Sequence, residues 1–128
     1  MRDIRPVASI ELGIAICVIF ILIGALAGYI NITLRIAKET AMRYELANIR
    51  ISLEHYRMIN NSLPENITVL INQDFTYKTA GGVILRKNFL EPFRLDKDGF
   101  LLDPFQQKYY YNTEDGRVSS RTKGYEAW

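Results

Sequence analysis

From Leu12 to Leu34 the chain runs 23 residues without a charged side chain, LGIAICVIFILIGALAGYINITL. As a helix rising about 1.5 Å per residue, this run spans roughly 34 Å, enough to cross a hydrocarbon core of about 30 Å. Nearly all the charge lies in 35–128, a stretch with room for one domain. Two readings of the run compete. One is a single transmembrane helix. The other is a removable secretory signal, with Arg2 and Arg5 as its basic region, Leu12–Gly24 as its apolar region and Ala25-Leu26-Ala27 as a small-residue cleavage site. The second reading predicts a soluble mature protein beginning near Gly28.

The helical pattern does not stop at Leu34. Met42, Leu46, Ile49, Leu53, Tyr56 and Leu63 recur at helical spacing and draw one apolar stripe. Arg35, Lys38, Glu39, Arg43, Arg50, Glu54 and Arg57 mark the opposite face, with oppositely charged pairs four residues apart at Arg35/Glu39, Glu39/Arg43 and Arg50/Glu54. No proline occurs between Pro6 and Pro64. The spacing therefore predicts one helix from about residue 8 to about residue 60, apolar all round in its first half and amphipathic in its second. A removable signal has no reason to continue in phase into the mature domain. Glu11 stands at the edge of the apolar run, where a carboxylate is costly and calls for a partner or for headgroup level. Gly24 and Gly28 form a small-xxx-small pair that allows close helix packing.

Asn60-Asn61-Ser62-Leu63-Pro64 is expected to end the helix. Residues 67–71 read equally as a helical turn or a strand, and Gly81-Gly82 as a turn before a short strand at 83–85. Phe100-Leu101-Leu102, Lys108–Asn112 and Arg117–Arg121 read as β, the last two joined by a hairpin loop at Asn112–Gly116. The helix stripe is the only large apolar partner for this β region. The expected fold is therefore α+β, one long N-terminal helix packed on a small C-terminal antiparallel sheet.

These features together resemble the type IV pilin-like superfamily, and within it the major pseudopilins of type II secretion. The N-terminal resemblance lies in a short basic leader, then Val7-Ala8-Ser9-Ile10-Glu11, then the apolar helix. The C-terminal one lies in Asp103-Pro104-Phe105, the aromatic strand Tyr109-Tyr110-Tyr111, the turn Asp115-Gly116 and the strand Arg117–Ser120. The resemblance implies a leader 1–6 removed by a prepilin peptidase before Val7, a filament-core half-helix 7–34 and an extracytoplasmic globular domain 35–128. It also implies that the Glu11 carboxylate pairs with the free amine of Val7 on a neighbouring subunit, and that the Gly24/Gly28 segment loosens on assembly. Pro6 departs from the Gly or Ala that the family places before the cut, and Val7 from its usual Phe or Met. Partners implied are further copies of the chain or minor pseudopilins, the membrane and an inner-membrane assembly platform.

No catalytic machinery is visible in the sequence. One Cys and one His exclude a disulfide framework and leave no room for a Cys/His zinc site. The +2 net charge gives no ground for nucleic acid binding. Asp96, Asp98 and Asp103 read as solvated turn carboxylates, and the three consecutive tyrosines as sheet packing. No cofactor is expected. Major pseudopilins hold calcium in a C-terminal loop, but the corresponding stretch Ser119–Gly124 carries two cations and no Asp, which argues against calcium. The expected function is that of a structural subunit of a pseudopilus or type IV pilus-like filament, anchored in the inner membrane with its domain outside the cytoplasm. The rival is a monomeric single-pass binding or sensor domain, for which Glu11 has no purpose.

Overall fold

The computed structural model describes residues 7–128, with side chains from Ser9 onward. The leader 1–6, Pro6 and the Val7 side chain lie outside the described residues. The chain divides into two units, Met1–Ala37 and Lys38–Trp128. Helix α1, Val7–Asn60, runs as the periodicity predicted. It ends where the asparagines cluster. Asn61 takes a left-handed φ of 53°, its N–H reaches the Arg57 carbonyl at 2.8 Å, and the Asn60 side-chain amide donates to the Tyr56 carbonyl at 3.1 Å. These bonds satisfy carbonyls that a helix end otherwise leaves to water.

In the second unit the stripe on α1 is the centre of the core. Met42, Leu46, Ile49 and Leu53 are buried against Ile67, Leu70, Phe89, Leu90, Leu101, Tyr109 and Val118. Each fully buried aliphatic side chain contributes about 1.5–3 kcal/mol of burial free energy. This is why the β elements collect on the stripe. The segment left open at 67–71 resolves into a single helical turn, α2 (Val69–Asn72), which buries Leu70.

The β region forms two separate antiparallel ladders where one sheet was expected. Strands β1 (Asp74–Lys78) and β2 (Ile84–Asn88) pair in one. Strands β3 (Tyr109–Tyr111) and β4 (Val118–Ser120) pair in the other, joined by the expected loop. The strand expected at Phe100-Leu101-Leu102 is reduced to isolated bridges, Leu95 to Leu101 and Leu102 to Lys108. The cause lies in Asp103-Pro104. Proline has no N–H to give a ladder, and the Asp103 carboxylate takes the N–H groups of Phe105 and Gln107, both at 2.9 Å. A tight turn thereby replaces a continuing strand.

The β3–β4 loop closes through Gly116, at φ +73°, where an added Cβ would lie 3.1 Å from Leu63 Cδ2. Gly116→Ala is expected to cost about 1–2 kcal/mol, since a left-handed φ disfavours any Cβ. The check is a lowered midpoint of chemical unfolding for the full chain in mild detergent.

Candidate functional site

The apolar half of α1 is the first candidate surface. Among the described residues this helix is the one long and apolar enough to cross a membrane, and none of its apolar window is buried. Ile14, Val18, Phe20, Ile21, Leu22, Leu26 and Ile32 are all exposed. The Thr33 hydroxyl is satisfied within the helix, donating to the Tyr29 carbonyl at 2.9 Å. A surface so apolar and so uncovered is suited to lipid or to other helices, and not to water.

Glu11 is exposed on the second turn of α1. At roughly 100° per residue its helical face is shared by Ile14, Ala15 and Val18. Gly24 and Gly28 lie roughly 220–260° around the helix from Glu11, close to the direction of Gly13. A Cβ added at Gly24 or Gly28 would meet nothing within 4 Å. The helix therefore carries its carboxylate and its glycine pair in different directions. Pro6 and the amine expected at Val7 lie outside the described residues and side chains.

The second unit contains two buried polar junctions that the sequence reading missed. Glu45 is only 5 % exposed. Its Oε1 receives the Arg94 guanidinium, and its Oε2 accepts the Tyr109 hydroxyl at 2.7 Å. Burial, and then the adjacent Glu45 carboxylate, push the Tyr109 hydroxyl well above the ordinary tyrosine value. The signal was present in the sequence. Glu45 stands roughly 40° from Ile49 and 60° from Met42, inside the apolar arc. A carboxylate there requires a partner.

Asp103 is fully buried, so it is not the solvated turn residue that was expected. Besides the two N–H groups, its Oδ2 accepts the Ser120 hydroxyl at 2.8 Å and the Thr122 hydroxyl at 2.6 Å. Asp103 thus fastens the end of β4 to the turn before β3. Asp96 does behave as a turn residue, accepting the N–H groups of Asp98 at 2.7 Å and Phe100 at 3.1 Å, with Lys108 Nζ at 3.1 Å. Its partial desolvation pushes upward, but the Phe100 N–H, Lys108 and the Asp98 N–H outweigh it and hold the carboxyl below its ordinary value.

The helix cations are used across the fold. Arg50 donates to the Val118 carbonyl at 3.0 Å, and the Arg43 guanidinium lies 4.4 Å from the Trp128 ring centre. His55 packs edge-on against Phe75 at 4.6 Å. Tyr109 and Tyr111 face inward, the latter donating to the Pro64 carbonyl at 2.8 Å, while Tyr110 is exposed.

A cleft of about 700 Å³ is lined by Arg50, Glu54, Tyr110, Asp115, Arg117 and Trp128, among others, and contains neither His nor Cys. Among the described residues no group of three or more His, Cys, Asp or Glu side chains is placed to hold a metal ion. Polar junctions in this unit tie backbone segments together, whereas the apolar half of α1 is uncovered. Compared with known proteins, the chain matches no family model, no curated protein and no solved structure.

Proposed function

We propose that this chain is a structural subunit of a pseudopilus or type IV pilus-like filament, polymerising through the apolar half of α1 to support export of proteins or transport of DNA. The observation that carries this reading is one uninterrupted helix, Val7–Asn60. It bears a carboxylate at Glu11 in an exposed apolar half and a small β-covered domain on its amphipathic half. On this reading the chain is held in the inner membrane as a single pass before assembly, with the domain outside the cytoplasm, and it does no chemistry of its own. A prepilin peptidase removes residues 1–6, an assembly platform lifts the subunit, and further copies or minor subunits receive it.

Glu11 sets the axial register between subunits. In a low-dielectric helix bundle an unpaired carboxylate is heavily penalised, and pairing it with the Val7 amine of a neighbour removes that penalty. Gly24 and Gly28 let the helix loosen on assembly, because glycine lowers the cost of unwinding a turn. Replacing both by alanine stiffens the segment, and unaltered assembly would refute that role.

Glu11→Ala tests the reading. The expected result is loss of filaments recovered by shearing or cross-linking, with membrane insertion unchanged. Filaments at wild-type yield would overturn the role of Glu11, and absence of filaments from the native chain as well would overturn the proposal and leave a monomeric anchored domain.

A further inference from the structure

Strand β1 has one partner, β2, and a second edge that no backbone hydrogen bond occupies among the described residues. Asp74, Thr76, Tyr77 and Lys78 are exposed on it, and Phe75 is half-buried. A two-stranded ladder with an open edge is marginal alone and invites another strand.

The direction of each backbone group on β1 follows from the ladder. Thr79 N–H bonds to the Val83 carbonyl at 2.9 Å, and β1 and β2 run in the register Lys78 to Ile84 and Tyr77 to Leu85. Thr79, Tyr77 and Phe75 therefore turn their backbone groups toward β2. Asp74, Thr76 and Lys78 turn theirs outward, by the alternation of an antiparallel ladder. Two such edges form a full antiparallel ladder in only one register, with Thr76 opposite Thr76. That register places Asp74 opposite Lys78 in both directions, and Phe75 opposite Tyr77 at the closely spaced positions where side chains touch. The segment Asp-Phe-Thr-Tyr-Lys is complementary to itself when reversed: opposite charges, aromatic with aromatic, threonine with threonine. These are the cross-strand pairs that stabilise sheets.

We propose that β1 is a docking edge for β1 of a second copy of this chain, making a four-stranded sheet β2-β1-β1-β2 across a two-fold axis, with up to about six new backbone hydrogen bonds. The edge of β2 is a poorer candidate. Its outward groups centre on Arg86, which would oppose itself, and its exit is tied to α2 through Asn88 Nδ2 to the Ile71 carbonyl at 2.6 Å. Asp74 already holds Arg86 through Oδ2 at 3.0 Å, which leaves Oδ1 for Lys78 of the partner copy. Being two-fold, the contact is closed and stops at two chains, unlike the head-to-tail contacts of a filament, and it does not rest on the filament reading.

Single-cysteine variants of the full chain, in membranes and with Cys17→Ser as background, test this. In the proposed register Thr76→Cys meets its own copy about 5.5 Å away between Cα atoms, within disulfide reach. Lys78→Cys stands roughly 14 Å from its copy, beyond reach. Mild oxidation is expected to give a disulfide-linked dimer from Thr76→Cys and only background from Lys78→Cys. Equal yields from the two, or none from Thr76→Cys, would overturn the proposal.

Charge reversal adds a second arm. Asp74→Lys or Lys78→Asp alone is expected to lower the Thr76→Cys dimer by about fivefold, by setting like charges opposite one another. The double variant is expected to restore it, Arg86 then having Asp at position 78 as its diagonal neighbour. Failure of the double variant to restore the dimer would overturn the register. The Thr76→Cys dimer is expected to persist in Glu11→Ala, so the outcome of this experiment is independent of filament assembly.

Discussion

Asp103→Ala is expected to destabilise the unit Lys38–Trp128 by about 4 kcal/mol, a drop in melting temperature on the order of 20 °C. The carboxylate is fully buried and accepts four hydrogen bonds. Removing it leaves the N–H groups of Phe105 and Gln107 and the hydroxyls of Ser120 and Thr122 to find other acceptors in a closed site, and an unsatisfied buried donor costs about 1–3 kcal/mol. The β4 end would separate from the turn at Pro104, since Asp103 is what joins them. Asp103→Asn separates charge from shape. Its carbonyl can still accept both N–H groups, and the two hydroxyls can rotate to accept from its amide, so a smaller loss of about 1–2 kcal/mol is expected. Thermal unfolding followed by near-ultraviolet circular dichroism ranks the three proteins. A loss under about 1 kcal/mol for Asp103→Ala would show that the four bonds add little beyond what water supplies.

Glu45→Ala is expected to cost about 3 kcal/mol. The substitution strands the buried Tyr109 hydroxyl, leaves Arg94 without its carboxylate and opens a small cavity beside Leu46 and Ile49. The Arg94 side chain is 38 % exposed, so water recovers part of its solvation and keeps the loss at the lower end for a broken buried pair. Breaking and replacing such a junction differ sharply in consequence. The triple variant Glu45→Leu, Arg94→Met, Tyr109→Phe removes every polar partner together and is expected to lie within about 1 kcal/mol of the native chain. If the triple variant were as unstable as Glu45→Ala, packing geometry rather than the stranded polar groups would account for the loss.

The elements legible in the sequence are those whose burial leaves a period. The stripe Met42, Leu46, Ile49, Leu53 predicted both the extent of α1 and the face that forms the core, and Asn60-Asn61 marked its end. The β3–β4 hairpin was legible through its turn residues and its run of three tyrosines. Strand β1 was not, because nearly all its residues are exposed, as are all those of β2, so neither shows an inside-outside alternation. Gly81-Gly82 marked the turn that joins them, and the strand expected at 83–85 overlaps only the start of β2. At Glu45 the residue showed, inside the apolar arc, but its partners did not. Its partners Arg94 and Tyr109 lie 49 and 64 residues away, and long-range pairing leaves no local pattern. Asp103 was placed with its acidic neighbours Asp96 and Asp98, although its hydroxyl partners, Ser120 and Thr122, lie beyond β3. At the N-terminal half Glu11, Gly24 and Gly28 all lie on an uncovered helix surface, where burial within the chain gives no sign of a role.

The intact mass and N-terminal sequence of the chain extracted from membranes decide whether it is a processed filament subunit. The expected chain begins at Val7, with the apolar run retained and a free or methylated amine available to Glu11 of a neighbour. A chain that begins near Gly28, with the run from Leu12 removed as a signal, would contradict the filament reading.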